Sequence, residues 1–556
     1  MKKKWLIGSI ALVMILSLFL AACGGKKDDA EKDGDGASDG KPVDGGKLTV
    51  AETAAFVGKF NPIHWEDETD KDVVYNVYDE LWTEDKNMNY VPRLAEKWEI
   101  ASDGKAMTIY LRKDAKWHDG KPVTADDLIF TYEQIASPEY TGVRFSSVDI
   151  IKGAKQKHDK KADKISGISK VDDHTVKLEF EKRLADPLAK VFRVPMPKHI
   201  FEKIDPKNMA NHEATRSKVV GNGPFKVKEA KPNEYVILEK NKDYYRKGKP
   251  HLDQVVFKVI SQDVAVGALK KGEVDIYPKI PGRDFDKLKK DKKLVTGEEQ
   301  DLAYNYLGLD HNSPKFKDKR VRQALVYATD RQGIIKAVSK GHGYLINQHI
   351  TKLSWAYNPK LENAYPYDPN KAKQLLTEAG YKDTNGDGFV EDPQGKPFSI
   401  QLHYPSDSAN SAKTVPIIKE NWKKAGIKAD IPQPREWKTF LELLDQGKLE
   451  TFLMAWGLDP DPDPTEVWRS NAEFNKLHYK NPESDKLIAE QAVEMDKNKR
   501  KEILAKWTEV INEDVPQIFL NGRTIMGAWH KKVKGVDWDY RAVVGTLADW
   551  WVTDAK

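Results

Sequence analysis

At 556 residues the chain exceeds what one hydrophobic core supports, so two or three domains are expected. Charged residues make up 32% and the mean hydropathy is −0.66, which excludes a polytopic membrane protein. The 91 basic and 86 acidic residues are interspersed, excluding the basic footprint of a nucleic-acid binder, and a single cysteine excludes disulfide bonds.

That cysteine, Cys23, stands in Leu20-Ala21-Ala22-Cys23-Gly24. Lys2, Lys3 and Lys4 form a basic start, Trp5 to Leu20 an apolar run, and two small residues precede the cysteine, as in a cleaved secretory leader. Leu-Ala-Ala-Cys resembles the bacterial lipobox, which implies a leader over residues 1–22 and lipidation of Cys23. Residues 23–46, rich in Gly, Asp and Lys, are too poor in apolar side chains to offset their ordering entropy. They read as a tether with a typical span of about 25 Å.

Order is expected from Lys47-Leu48-Thr49-Val50, a short strand. Val73 to Trp82 has helical apolar spacing, and Lys105 to Arg112 alternates as a half-buried strand. In Trp117-His118-Asp119-Gly120-Lys121-Pro122-Val123-Thr124-Ala125-Asp126-Asp127, a tight turn precedes a helix that Thr124 and Asp127 cap and that runs through Ile135. His118 reads as a structural turn residue. Strands follow at Val176 to Phe180, Tyr235 to Leu238 and Val255 to Ile260. Gly221-Asn222-Gly223-Pro224-Phe225 is a turn into a strand and lacks the features of a phosphate loop.

From Asp301 the pattern restarts with a strand over Leu302 to Leu309 and an amphipathic helix over Lys319 to Ala328. Helices and strands then alternate at Asn370 to Ala379, Phe398 to His403, Val415 to Ala425, Trp437 to Leu444, Phe452 to Trp456 and Asp485 to Asn512, which indicates an α/β architecture. No hydrolase elbow and no zinc-binding motif appears, so an enzyme is not expected.

In Trp456-Gly457-Leu458-Asp459-Pro460-Asp461-Pro462-Asp463-Pro464 a strand runs into three Asp-Pro pairs. Proline stiffens the loop and restricts the residue before it. A preorganised carboxylate beside an indole face suits a cationic amine. Asp383, Asn385 and Asp387, with Gly388 at the turn, reproduce the first half of an EF-hand loop. Position twelve is Gln394, so Glu391 or Asp392 would have to complete a structural calcium site; no other cofactor is expected.

The Trp117 to Asp127 stretch, Gly221 to Phe225, Asn241-Lys242-Asp243-Tyr244-Tyr245 and Lys319 to Asp330 resemble the bacterial extracellular solute-binding proteins of family 5. The spacer, the Asp383 region and Trp550-Trp551 look most like the Gram-positive oligopeptide-binding branch. The resemblance implies a bilobed α/β type II binding protein, with lobe one over residues 47–300 and the tail 516–556, an extra subdomain over 86–217, and lobe two over 301–515. Hinge crossings would lie near Asp301 to Tyr306 and Pro516 to Leu520. It further implies a monomeric, membrane-tethered receptor that captures oligopeptides for an ABC permease; dipeptides, nickel, oligosaccharide or haem are alternative cargoes, and peptide sensing an alternative role. In the family a tryptophan followed three residues later by an aspartate receives the ligand's α-amino group. Trp456 and Asp459 match, with Gly457 and Leu458 between them and Asp461 in the same loop. The family's carboxylate-binding basic residues correspond to Leu444 and Leu453, which favours longer, unclamped peptides; Arg435 and His403 are the substitutes within reach.

Overall fold

The computed structural model describes residues 40–555; the expected leader, Cys23 and most of the expected tether lie outside them. An eight-stranded sheet runs through both lobes in the order Thr451–Gly457, Leu294–Leu309, Gln517–His530, Ile276–Tyr277, Lys47–Glu52, Gln254–Val259, Tyr235–Lys240, Phe225–Lys231. The two long strands, Leu294–Leu309 and Gln517–His530, pair antiparallel and carry the chain between lobes. One end of each packs in lobe one (Leu294, Met526, Ala528) and the other in lobe two (Leu307, Leu309, Ile518, Leu520). Their register slips between Gln300 and Tyr304 and again between Asn305 and Tyr306, and such bulges bend a strand locally.

The return crossing falls at about residues 521–524, beyond the expected Pro516 to Leu520, because Ile518 and Leu520 are still packed in lobe two. Gly522 sits at this point, bridged to Tyr344, and a Cβ there would lie 2.2 Å from the Tyr344 ring. The crossing therefore requires a residue without a side chain.

In lobe one, Lys47–Glu52 is parallel to Gln254–Val259, and the rest of that edge is antiparallel. The inserted part carries a four-stranded antiparallel sheet, ordered Ala95–Ile100, Ala106–Leu111, Thr175–Glu179, Ile168–Asp172. Helix Ala125–Ile135 begins at a capping box in which Asp127 accepts from Thr124 N at 2.9 Å. The same buried carboxylate takes Trp117 Nε1 and Lys198 N, so one aspartate ties three segments together.

His118 accepts from Gly221 N at Nδ1 and lies 3.1 Å from Gly223 O at Nε2. Burial pushes it down to about 3, so it is a neutral structural ring. The Gly221 backbone it holds lies against the end of helix Glu68–Val77, where a Cβ would come 2.0 Å from Val77 O.

That helix is displaced from the expected Val73 to Trp82. Asp67 caps it early, Tyr78 is already extended, and Trp82–Glu84 is a strand. The early turns carry Glu68, Asp70 and Asp72, which give no apolar period to read. Likewise Asp485 to Asn512 is two helices, Pro482–Gln491 and Lys497–Asp514, because Asp496 caps a second start. Lobe two's cores pack around Trp422 on one side and Trp468 and Trp507 on the other. Among the described residues, no helix is long and apolar enough to cross a membrane.

Candidate functional site

Between the lobes lies a cavity of about 750 Å³. Lobe one contributes Trp65, Lys71, Tyr75, Arg93 and Arg144; lobe two contributes Leu302, Ala303, Gly457, Leu458 and Asp459. Helix Glu68–Val77 supplies much of the lobe-one wall. There Asp72, fully buried, pairs with Lys279 at 2.7 Å beside the buried Glu52. Burial, and then the neighbouring Asp72, hold the Glu52 carboxyl well above the usual carboxylate range.

The lobe-two wall is the end of strand Thr451–Gly457, the edge of the large sheet. Leu458 N donates to Leu302 O at 2.6 Å, which sets alternate residues toward the neighbouring strand. Leu453, facing the other way, donates to His403 O. By the same alternation Ala455 and Gly457 point their N–H and C=O groups outward, and both residues are exposed. Beyond Leu453 the outer edge of this strand has no pairing strand among the described residues.

The structure separates the three loop aspartates. Asp459 is exposed, lines the cavity and an adjoining 160 Å³ pocket that includes Trp456, and has no hydrogen bond or ion pair among the described residues. Asp461 also lines both cavities, but it is buried and gripped by Arg500 through two bonds of 2.6 and 2.8 Å, an ion pair that occupies its carboxylate. Asp463 meets Lys190 of lobe one at 2.8 Å, clasping the lobes, and accepts from Thr465 and Gln491. Burial alone would raise its carboxyl, but Lys190, Thr465 and Arg500 bring it down to about 2. Ala185 N also donates to Ala492 O at 3.0 Å across the same seam.

Arg435 and His403 do not line the cavity. Arg435 is exposed, with its carbonyl taken by Ser406 N, and His403 Nδ1 lies 3.2 Å from Thr451 O. Pairing of His403 with Phe452 fixes it further back along the edge strand. Leu444 and Leu453 are core residues.

The Asp383 loop is closed by its own hydrogen bonds. Asp383 accepts from Gly386 N and Gly388 N, and Asp387 from Phe389 N. Asn385 accepts from Asp387 N, and Glu391 turns inward onto Thr384 and Asn385. Among the described residues, no group of three His, Cys, Asp or Glu is arranged to hold a metal ion.

Arg93, Lys190 and Arg144 escaped sequence reading. Pro92-Arg93-Leu94-Ala95 reads as a mere connector, and the residues that surround Arg93 come from distant segments.

The sequence profile of the bacterial extracellular solute-binding proteins, family 5 Middle, matches residues 89–477. The oligopeptide-binding protein AppA of Bacillus subtilis is 31% identical over 99% of both chains. The chain belongs to family 5 of the bacterial extracellular solute-binding proteins.

The crystal structure of that AppA in complex with a nonapeptide superposes with a TM-score of 0.75 at 30% identity, covering 92% of this chain and 100% of the other. Haem-binding protein A of Haemophilus influenzae is 29% identical over 82% of this chain and 84% of its own length. Family 5 is thus a family of solute-binding transport proteins whose members carry different cargoes on one bilobed α/β fold. In this family 5 protein the crossing strands, the interlobe cavity and the bond between Lys190 and Asp463 all lie at the junction of the lobes.

Proposed function

We propose that the protein is an extracellular receptor that captures oligopeptides between its lobes and delivers them to an ABC import permease. The open outer edge of Thr451–Gly457 carries the reading: Gly457 lines the cavity there and is exposed beside the unpaired Asp459. An extended peptide can add to such an edge through main-chain hydrogen bonds that ignore its sequence. Asp459 would then receive the peptide's α-ammonium group, beside the Trp456 indole. The likeness to a relative named for oligopeptide binding supports the same cargo.

Cys23, acylated, would hold the receptor to the outer face of the membrane by its tether; replacing Cys23 with Ser should then release a receptor of unchanged affinity into the medium.

Native mass spectrometry of the purified protein should reveal co-purified peptides, and peptide pools should give binding heat on titration. Asp459→Ala should weaken free-amine peptides by about tenfold or more while sparing N-acetylated ones, since a hydrogen bond to a charged group contributes about 1.5–3 kcal/mol. Recovery of haem, metal or sugar with no response to peptide would overturn the peptide reading. Equal losses for both peptide forms would remove Asp459 from the amine-binding role alone.

A further inference from the structure

In the lobe-one wall of the cavity nearly every charged side chain has a hydrogen-bond partner. Arg193 holds Glu80 at 2.7 Å and Glu84 at 2.6 Å. Asp79 accepts from the hydroxyls of Tyr244 and Tyr245, each at 2.6 Å, and from Glu80 N. Arg541 is forked onto Asp539 and donates to Glu84 O. Arg144 donates to Trp65 O and lies on that indole; Lys71 meets Glu68 and Lys279 meets Asp72. On the other side Arg523 meets Asp301 at 3.4 Å.

Arg93 is the exception. It is half-buried, it lines the cavity, and among the described residues its guanidinium has no hydrogen bond or ion pair. Its backbone is fixed by a bond from its N–H to Leu81 O, at the end of the short hairpin that pairs Trp82 with Pro92. Burial disfavours its charge, but the Asp79 carboxylate outweighs burial and holds the guanidinium above its usual range; the hydrogen bonds of Asp79 go to the two tyrosines and to Glu80 N, and none to Arg93. Arg93 also lines a second cavity of about 470 Å³, whose walls share Thr83, Glu84 and Arg541 with the first.

Its charge is compensated, but its side-chain N–H donors have no hydrogen-bond partner among the described residues, and a guanidinium is satisfied best by a carboxylate that takes two parallel N–H bonds. We propose that Arg93 is the receptor for a carboxylate of the captured peptide, a specificity-determining residue on the opposite lobe from Asp459. The inference rests on the peptide reading above and deepens it. Lobe two offers no replacement, since Leu444 and Leu453 are core residues and Arg435 and His403 do not line the cavity. An amine bound by lobe two and a carboxylate bound by lobe one would make closure itself depend on a zwitterionic or acidic peptide. The carboxylate comes either from the C-terminus or from an Asp or Glu side chain.

The test is calorimetric titration of wild type and Arg93→Met with one peptide sequence in three forms: containing Glu with a free C-terminus, the same peptide as the C-terminal amide, and its Glu→Gln version. Wild type should lose roughly 10- to 100-fold with one of the two neutralised forms. Loss with the amide assigns Arg93 to the C-terminus, and loss with Gln assigns it to the side chain. In Arg93→Met that penalty should shrink to within about twofold. Equal affinity of wild type for all three forms would overturn the proposal while leaving peptide capture intact, as would a penalty that persists in the variant. Failure of wild type to bind any of a broad peptide pool would instead count against the function reading.

Discussion

Three aspartates spaced two apart, each before a proline, look alike as residues, and their surroundings give each a separate role. Asp459 remains free at the cavity, Asp461 is locked to Arg500, and Asp463 meets the other lobe. Arg500 is itself buried and also bonds Gln491, so removing Asp461 would strand a desolvated cation. Asp461→Ala should therefore cost about 3–5 kcal/mol of stability, read as a fall in Tm and in denaturation midpoint. If lobe-two stability were unchanged, the pair would not be the structural anchor its geometry indicates.

Among the elements, two long strands and one stiff loop connect the lobes and would govern the closure that the proposed capture needs. The strands bend where their register slips, near Gln300 to Tyr304, while the Asp-Pro loop reaches across the seam to Lys190. Lys190 and Asp463 both return to water when the lobes part, so their bond favours the closed form and not the fold of either lobe. Lys190→Met should weaken peptide affinity roughly fivefold or more, in the range of coupling energies of 1–3 kcal/mol, with little change in Tm without ligand. Small-angle scattering should show the peptide-bound variant more open on average than wild type. Identical affinity and radius would show that closure does not use this bond.

For the molecule as a whole, several buried histidines tie stability to pH. Burial pushes His118 and His349 down to about 3, and His64 and His311 to about 4. In the unfolded chain they protonate near 6.5, so below that pH the unfolded state takes up protons that the folded state refuses. Their neutral packing is fully tolerated above 6.5, and stability is lost as pH falls toward 3, by up to about 1.4 kcal/mol per unit for each ring. Glu52 and Glu80, held high by burial, act with the opposite sign, so a difference measurement is needed. His349 packs against Tyr304, Trp468 and Trp507. His349→Phe should show a shallower drop in Tm between pH 7 and pH 5 than wild type. An equal drop would mean that this ring does not contribute to the slope.

The α/β alternation, the capped helix at Thr124, the amphipathic helix from Lys319 and the strand feeding the Asp-Pro loop were all legible in the sequence, because caps, period and turn chemistry are local. So were the family motifs and the position of Trp456 and Asp459. Boundaries failed where local signals were polar, as in the early turns of helix Glu68–Val77 and the second start at Asp496. Pairing was not legible at all. That Asp461 is held by Arg500, that Asp463 bridges the lobes, that the Asp383 loop closes on itself and that Arg93 is left without a hydrogen-bond partner each depend on which groups come within about 3 Å. Arg500 stands 39 residues from Asp461 in the chain, and only the folded sheet and its helices bring them together. The sequence by itself therefore determined which elements form and the family they belong to. The tertiary structure decided which charged groups remain unpaired in the cavity, since charge compensation depends on distance in space and not on order along the chain.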